Sequence, residues 1–173
     1  MAGAFEAIGP EAVKTVDPAI FRDAMARLGA AVHVVTTAGP AGRTGFTATA
    51  VCSVSDQPAT LLVCVNRRSR GTPVLRENRV FCVNTLGADA EAIADTFAGR
   101  GGAEAEERFQ AGDWIVLATG APVLRSAVVA FDCRTVEVKT VATHNVFFAA
   151  VEAIHVGEPG PALVYHERAY KRV

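Results

Sequence analysis

The sequence gathers no charge of either sign: 17 Lys and Arg stand against 18 Asp and Glu, for a formal net charge of −1, and no basic block forms. That leaves no electrostatic footprint for nucleic acid or an anionic membrane, so neither is an expected partner. No apolar run reaches the roughly 18 residues that span a bilayer, and Met1 to Pro10 lacks a basic stretch leading into an apolar one. A cytoplasmic protein is expected. The four cysteines, Cys52, Cys64, Cys82 and Cys133, stand singly in apolar segments. Without the close pairs of zinc ribbons or thioredoxin-like motifs, they read as buried free thiols. His33, His144, His155 and His166 are too scattered to mark a metal site, and there is no P-loop, zincin helix or nucleophile elbow. Hydrolases and metalloenzymes are therefore disfavoured. The glycine-rich patch at 99–102 fails as a dinucleotide fingerprint, because Glu104 stands where the third glycine belongs and no strand feeds it. It reads as a loop.

What is present points to one packed domain. Half of the 173 residues are apolar and a fifth are charged, which excludes a disordered chain and leaves room for a homodimer. Residues 1–17 carry little periodicity and read as an N-terminal arm preceding a domain over 18–173. Asp17-Pro18 predicts a helix through Leu28, with Asp17 as N-cap and Phe21, Met25 and Leu28 on one face. Beyond Gly29, runs rich in Val, Thr, Phe and Cys predict strands over 31–37, 44–54, 60–66, 80–85, 114–119, 127–141, 145–156 and 162–166. Helical insertions are expected at 72–77 and 89–98. Many strands, few short helices and no βαβ alternation indicate a mainly β, antiparallel barrel.

Three stretches carry candidate chemistry. In Gly45-Phe46-Thr47-Ala48-Thr49-Ala50-Val51-Cys52-Ser53, read as one strand, Thr47, Thr49, Val51 and Ser53 share a face while Phe46, Ala48, Ala50 and Cys52 share the other. Small side chains on both faces would let a flat ring approach the backbone, and hydroxyl and N–H donors suit an isoalloxazine that becomes anionic on reduction. The same pattern also suits a tightly packed β-strand with no ligand. In the second stretch an apolar strand ends at Asn66-Arg67-Arg68-Ser69-Arg70-Gly71, and Thr72-Pro73 starts a helix. Asn66, Arg67, Ser69 and the first helical N–H groups would converge on a phosphate, or the turn is simply solvated. The third stretch, Ala142-Thr143-His144 between two long β runs, offers His144 to a nicotinamide or as a polar turn cap. Hydride transfer between cofactors needs alignment in a dry pocket more than an acid or base, and no catalytic acid or base is assigned.

These residues resemble the short-chain flavin reductases, whose fold is an FMN-binding split barrel and which serve two-component monooxygenases. The resemblance runs over about 19–172. It is carried by Phe21-Arg22, Gly45 to Asp56, Leu62 to Arg67, Phe81 to Leu86, Glu107-Arg108-Phe109 with Trp114, Gly120 to Leu124, Phe131-Asp132-Cys133, Thr143-His144, and Leu163-Val164-Tyr165 with Arg168 and Tyr170. It implies FMN (or FAD) bound along Thr47, Ala48, Thr49, Ala50, Val51, Cys52 and Ser53, with Asn66, Arg67 and Ser69 near the phosphate. It also implies His144 and Tyr170 on the side of the nicotinamide, NADH before NADPH, a homodimer, and a partner monooxygenase. Within the family the branch serving pyrimidine (uracil) ring opening is the nearest in look, followed by that of 4-hydroxyphenylacetate hydroxylation. Two departures stand out: Ala142 replaces a customary glycine before Thr-His, and the phosphate turn is unusually basic. Rival readings are a flavin-storing or flavin-sensing barrel without turnover, a pyridoxamine phosphate oxidase, and a haem-binding barrel.

Overall fold

The computed structural model describes residues 14–173, so the expected arm over 1–17 lies almost wholly outside the described residues. Helix α1 (Pro18–Met25) begins where Asp17 Oδ1 accepts from the N–H groups of Ala19 (2.7 Å) and Ile20 (3.3 Å), the expected N-cap with Pro18 behind it. It stops three residues short of the predicted end, and none of its residues is buried. There follow β1 (Ala30–Ala31), β2 (His33–Gly39), β3 (Gly42–Ala48), β4 (Val51–Asp56), β5 (Ala59–Asn66), α2 (Gly71–Asn78), β6 (Val80–Thr85) and α3 (Glu91–Phe97). A 3-10 turn at Glu107–Ala111 leads to β7 (Trp114–Val116), β8 (Pro122–Leu124), β9 (Val129–Val141), β10 (His144–Val156), β11 (Leu163–His166) and β12 (Ala169–Arg172). No helix among the described residues is long and apolar enough to cross a membrane.

The principal sheet is antiparallel, in the order β3-β2-β6-β9-β10-β5-β4. Its outermost strands, β3 and β4, are consecutive in sequence and joined only by Thr49 and Ala50. Laid flat, strand spacings of about 4.8 Å would hold these edges roughly 29 Å apart. The three Cα steps from Ala48 to Val51 reach about 11 Å at most. The sheet must therefore curl until its two edges meet, and because β3 and β4 do not pair, the barrel is split along that line. The expected continuous strand over 44–54 is corrected accordingly. Its two halves lie on opposite edges of the sheet, and the face alternation predicted across Thr49-Ala50 does not hold.

Inside the curl, Val35, Val63, Leu75, Phe81, Val83 and Phe147 form one core, with Phe46, Ala48 and Val51 packed against it from both edges. The outer face of β2 and β6 is covered too: Val32, Val34 and Cys82 meet Phe97, Phe109, Val123, Leu124 and Leu163. Burial on both faces explains why β2 and β6 bury successive residues without the alternation of a half-exposed strand. A small sheet, β1-β11-β12, and the hairpin β7-β8 complete the covering layer. Cys82 and Cys133 are buried as expected, but Cys52 is exposed and Cys64 half-buried, since the split leaves one side of β4 and β5 uncovered.

Candidate functional site

The two-residue link Thr49-Ala50 is the ridge between three shallow recesses. On one side a recess of about 240 Å³ is lined by Phe46 to Ala50, Cys64, Val65, Asn66 and Ser69. On the other, a recess of about 200 Å³ is lined by Thr47 to Thr49 facing Val32, Ala98, Arg100, Tyr165 and Tyr170. A third lies beneath α1, where Arg22, Met25 and Leu28 face Thr49, Ala50 and Tyr165. The link holds its shape through backbone bonds: Val51 N–H donates to the Thr49 carbonyl and Cys64 N–H to the Ala50 carbonyl, both at 3.0 Å.

The hydroxyls along the stretch differ in what they are free to do. Thr47 Oγ1 donates to the Ala94 carbonyl at 2.6 Å, anchoring α3 on the barrel. Thr49 and Ser69, by contrast, have side-chain hydroxyls without a hydrogen-bond partner among the described residues. Thr47, Ala48, Thr49, Ala50, Asn66 and Ser69 thus share one recess. Val51, Cys52 and Ser53 run away from it along β4, where Cys52 and Ser53 are exposed. Burial, and next the neighbouring Cys52 thiol, push the Cys64 thiol above its ordinary value.

The basic turn is built by Asn66. Its Oδ1 accepts from the Arg68 N–H at 2.9 Å, and its carbonyl accepts from Ser69 N–H (2.9 Å) and Thr72 Oγ1 (2.8 Å). Arg67 is bound to the β9-β10 hairpin through its N–H to the Thr143 carbonyl (3.0 Å) and its guanidinium to the Ala142 carbonyl (3.4 Å). A wider recess of about 560 Å³ lies there, lined by Asn66, Arg67, Arg68, Ala142 and Thr143. Ala142 takes φ 48°, the left-handed conformation that a glycine would adopt without strain. The alanine departure therefore keeps the turn and accepts the backbone strain.

His144 is exposed, pairs in register with Asn66, and has Nδ1 2.9 Å from Thr143 Oγ1. Tyr170 lies elsewhere, with its hydroxyl donating to Asp95 at 3.0 Å and its ring edge-on to Tyr165 at 5.5 Å. Burial, and then the bond to Asp95, push the Tyr170 phenol up to about 12. The structure brings Tyr170 to the Thr47–Thr49 wall and sets His144 in register with Asn66 at the basic turn, so the two do not share a recess of this chain. Sequence reasoning missed Asp95, Arg100 and Tyr165. Their one signal was the glycine-rich patch at 99–102, where Gly99, Gly101 and Gly102 all take positive φ around Arg100. No group of three or more His, Cys, Asp and Glu residues able to hold a metal occurs among the described residues.

The flavin reductase-like domain matches residues 25–173. The chain belongs to that family. This flavin oxidoreductase is 51% identical over 168 residues to the FMN reductase (NADH) RutF of Methylorubrum extorquens, covering 97% of this chain and 81% of the relative. A solved structure from Haemophilus somnus, described as a candidate flavin reductase, is 45% identical with a TM-score of 0.87, covering 91% of this chain and all of that one. BorF, the flavin reductase component of a bacterial two-component tryptophan halogenase, shares 28% identity at a TM-score of 0.84, covering 91% of this chain and 98% of its own.

Proposed function

We propose that this flavin reductase uses NADH to reduce FMN and passes the reduced flavin to a separate monooxygenase, in the pyrimidine ring-opening branch. The observation that carries the reading is the recess where Thr49 and Ser69 offer unpartnered hydroxyls beside the Asn66-Arg67 turn. These residues fit a flavin mononucleotide. The Thr47–Ala50 ridge has small side chains against which a planar ring can lie, and Asn66, Arg67 and Ser69 stand where a ribityl phosphate would end. A bound flavin supplies the two-electron chemistry by accepting hydride from a reduced nicotinamide. The protein's part is to seat the ring, hold the phosphate and align the second substrate, which requires no acid or base.

Support for FMN and NADH comes from the name of the RutF relative, support for the pyrimidine branch from the sequence resemblance, and support for a separate flavin-using partner from BorF, the reductase component of a two-component halogenase. FAD and NADPH are the alternatives that the kinetics decide. We assign Tyr170 and His144 to the nicotinamide side, and place the chain in the cytoplasm. We also read it as a homodimer. Helix α1 and the turn after it leave Ile20, Phe21, Met25 and Leu28 exposed next to the seam, an apolar strip that a second copy would cover.

The test is to mix the purified protein with excess FMN and NADH under air and to follow NADH absorbance. Flavin-dependent consumption with FMN ahead of FAD, and NADH ahead of NADPH, is expected. A tightly held flavin that is never reduced would identify a storage or sensing protein instead.

A further inference from the structure

One carboxylate oxygen joins three elements on the far side of the seam. Asp95 Oδ1, on α3, accepts from the Tyr170 hydroxyl at 3.0 Å and from Arg100 Nη1 at 2.8 Å. The Arg100 N–H also donates to the Asp95 carbonyl at 3.0 Å, which folds the glycine-rich loop back on the helix. The Arg100 guanidinium carbon lies 5.9 Å from the Tyr170 ring centroid, and Tyr165 packs edge-on with that ring in the same recess.

Stability alone gives little reason for this arrangement. The Arg100 and Asp95 side chains are 60% and 41% exposed, and ion pairs so open to water contribute little to folding. What the carboxylate does fix is orientation. A phenol held at its hydroxyl and braced along its edge keeps one ring plane, and the ring it holds faces Thr47–Thr49 across the recess.

We propose that Asp95 is a positioning residue for hydride transfer. It holds the Tyr170 ring as the wall against which the nicotinamide rests, and it sets Arg100 so that its remaining guanidinium N–H groups meet the phosphates of the dinucleotide. This rests on the reading of the chain as an NADH-using flavin reductase.

The experiment compares the wild-type chain with Asp95→Ala, Tyr170→Phe and the double variant. For each, it measures NADH kinetics at saturating FMN, the FMN dissociation constant by fluorescence quenching, the melting temperature, and the isotope effect with NADH deuterated at the transferred position. Both single variants should raise the KM for NADH by about 5- to 10-fold. The double variant should do no more than the worse single one, because both break the same contact. FMN affinity and melting temperature should hold, while the isotope effect on kcat/KM rises as hydride transfer becomes limiting. An unchanged KM in Asp95→Ala, additive losses in the double variant, or a fall in FMN affinity with KM unchanged would each overturn the proposal. A wild-type chain that fails to oxidise NADH with FMN would remove the underlying reading itself, an outcome visible before any variant is made.

Discussion

His33 and Thr85 face one another across β2 and β6, with the histidine Nδ1 3.0 Å from the threonine hydroxyl in a site that leaves the imidazole only 9% exposed. Burial pushes the His33 imidazole down to about 4. The folded state therefore binds fewer protons than the unfolded chain between that value and the ordinary 6.5. The stability from the neutral ring is fully present above pH 6.5, is lost as pH falls toward 4, and changes no further below that. A shift of this size corresponds to about 3 kcal/mol. Urea denaturation at intervals across this range should show the decline, and in His33→Gln the part of the slope due to this ring should vanish.

Two threonines of one short stretch should fail differently. Thr49→Val removes an unpartnered hydroxyl on the ridge, so it should weaken FMN binding several-fold and leave the melting temperature alone. Thr47→Val breaks the bond to the Ala94 carbonyl and should cost about 1 kcal/mol of folding stability. Fluorescence titration and thermal melts on each variant separate the two. Matching losses of flavin affinity without destabilisation in both would refute the distinction.

Gly45 lies where the Phe97 ring presses on β3. A Cβ there would meet Phe97 Cε1 at 2.7 Å and the Val35 carbonyl at 3.1 Å. Gly45→Ala should lower stability by about 1–3 kcal/mol, the usual cost of overpacking, because the ring is held in a buried cluster with Phe109 and Trp114. Chemical denaturation gives the number directly. An unchanged midpoint would mean that the cluster can yield.

Ala142→Gly should stabilise the protein by about 0.5–1 kcal/mol, since relief of the left-handed strain exceeds the entropy that glycine adds to the unfolded chain. A valine at the same place should do the reverse. Denaturation midpoints of the two variants on either side of the wild type are the expected pattern.

His144→Ala should raise the KM for NADH and leave the FMN dissociation constant nearly unchanged. Its register with Asn66 makes the measurement decisive. Loss of FMN affinity with the NADH constant intact would move His144 to the phosphate end.

The barrel was legible in the sequence because strands such as β6, Val80–Thr85, are continuous runs of residues that suit burial on both faces. The Asp17 cap and the basic turn were legible because their signals are local. The break at Thr49-Ala50 was not, since threonine and alanine continue a strand as readily as they leave one, and only the closure of the sheet decides. Strand β12 escaped notice because the preceding turn, with Glu167 and Arg168 at φ 49° and 59°, uses neither the glycine nor the asparagine that usually marks such a hairpin. Asp95 and Tyr170 are 75 residues apart, and nothing in either neighbourhood points to the other.

Thr49 and Ala50 also act as a clasp, since the chain that lines the proposed flavin recess is the chain that sets the circumference of the hoop. One residue inserted between them would move β4 a step along β5 or let the seam gape, altering site and scaffold together. The β4-β5 turn at Gln57-Pro58 carries no such constraint and can lengthen outward. Evolution can therefore retune this reductase by exchanging side chains at the clasp, while changes of loop length must be made elsewhere.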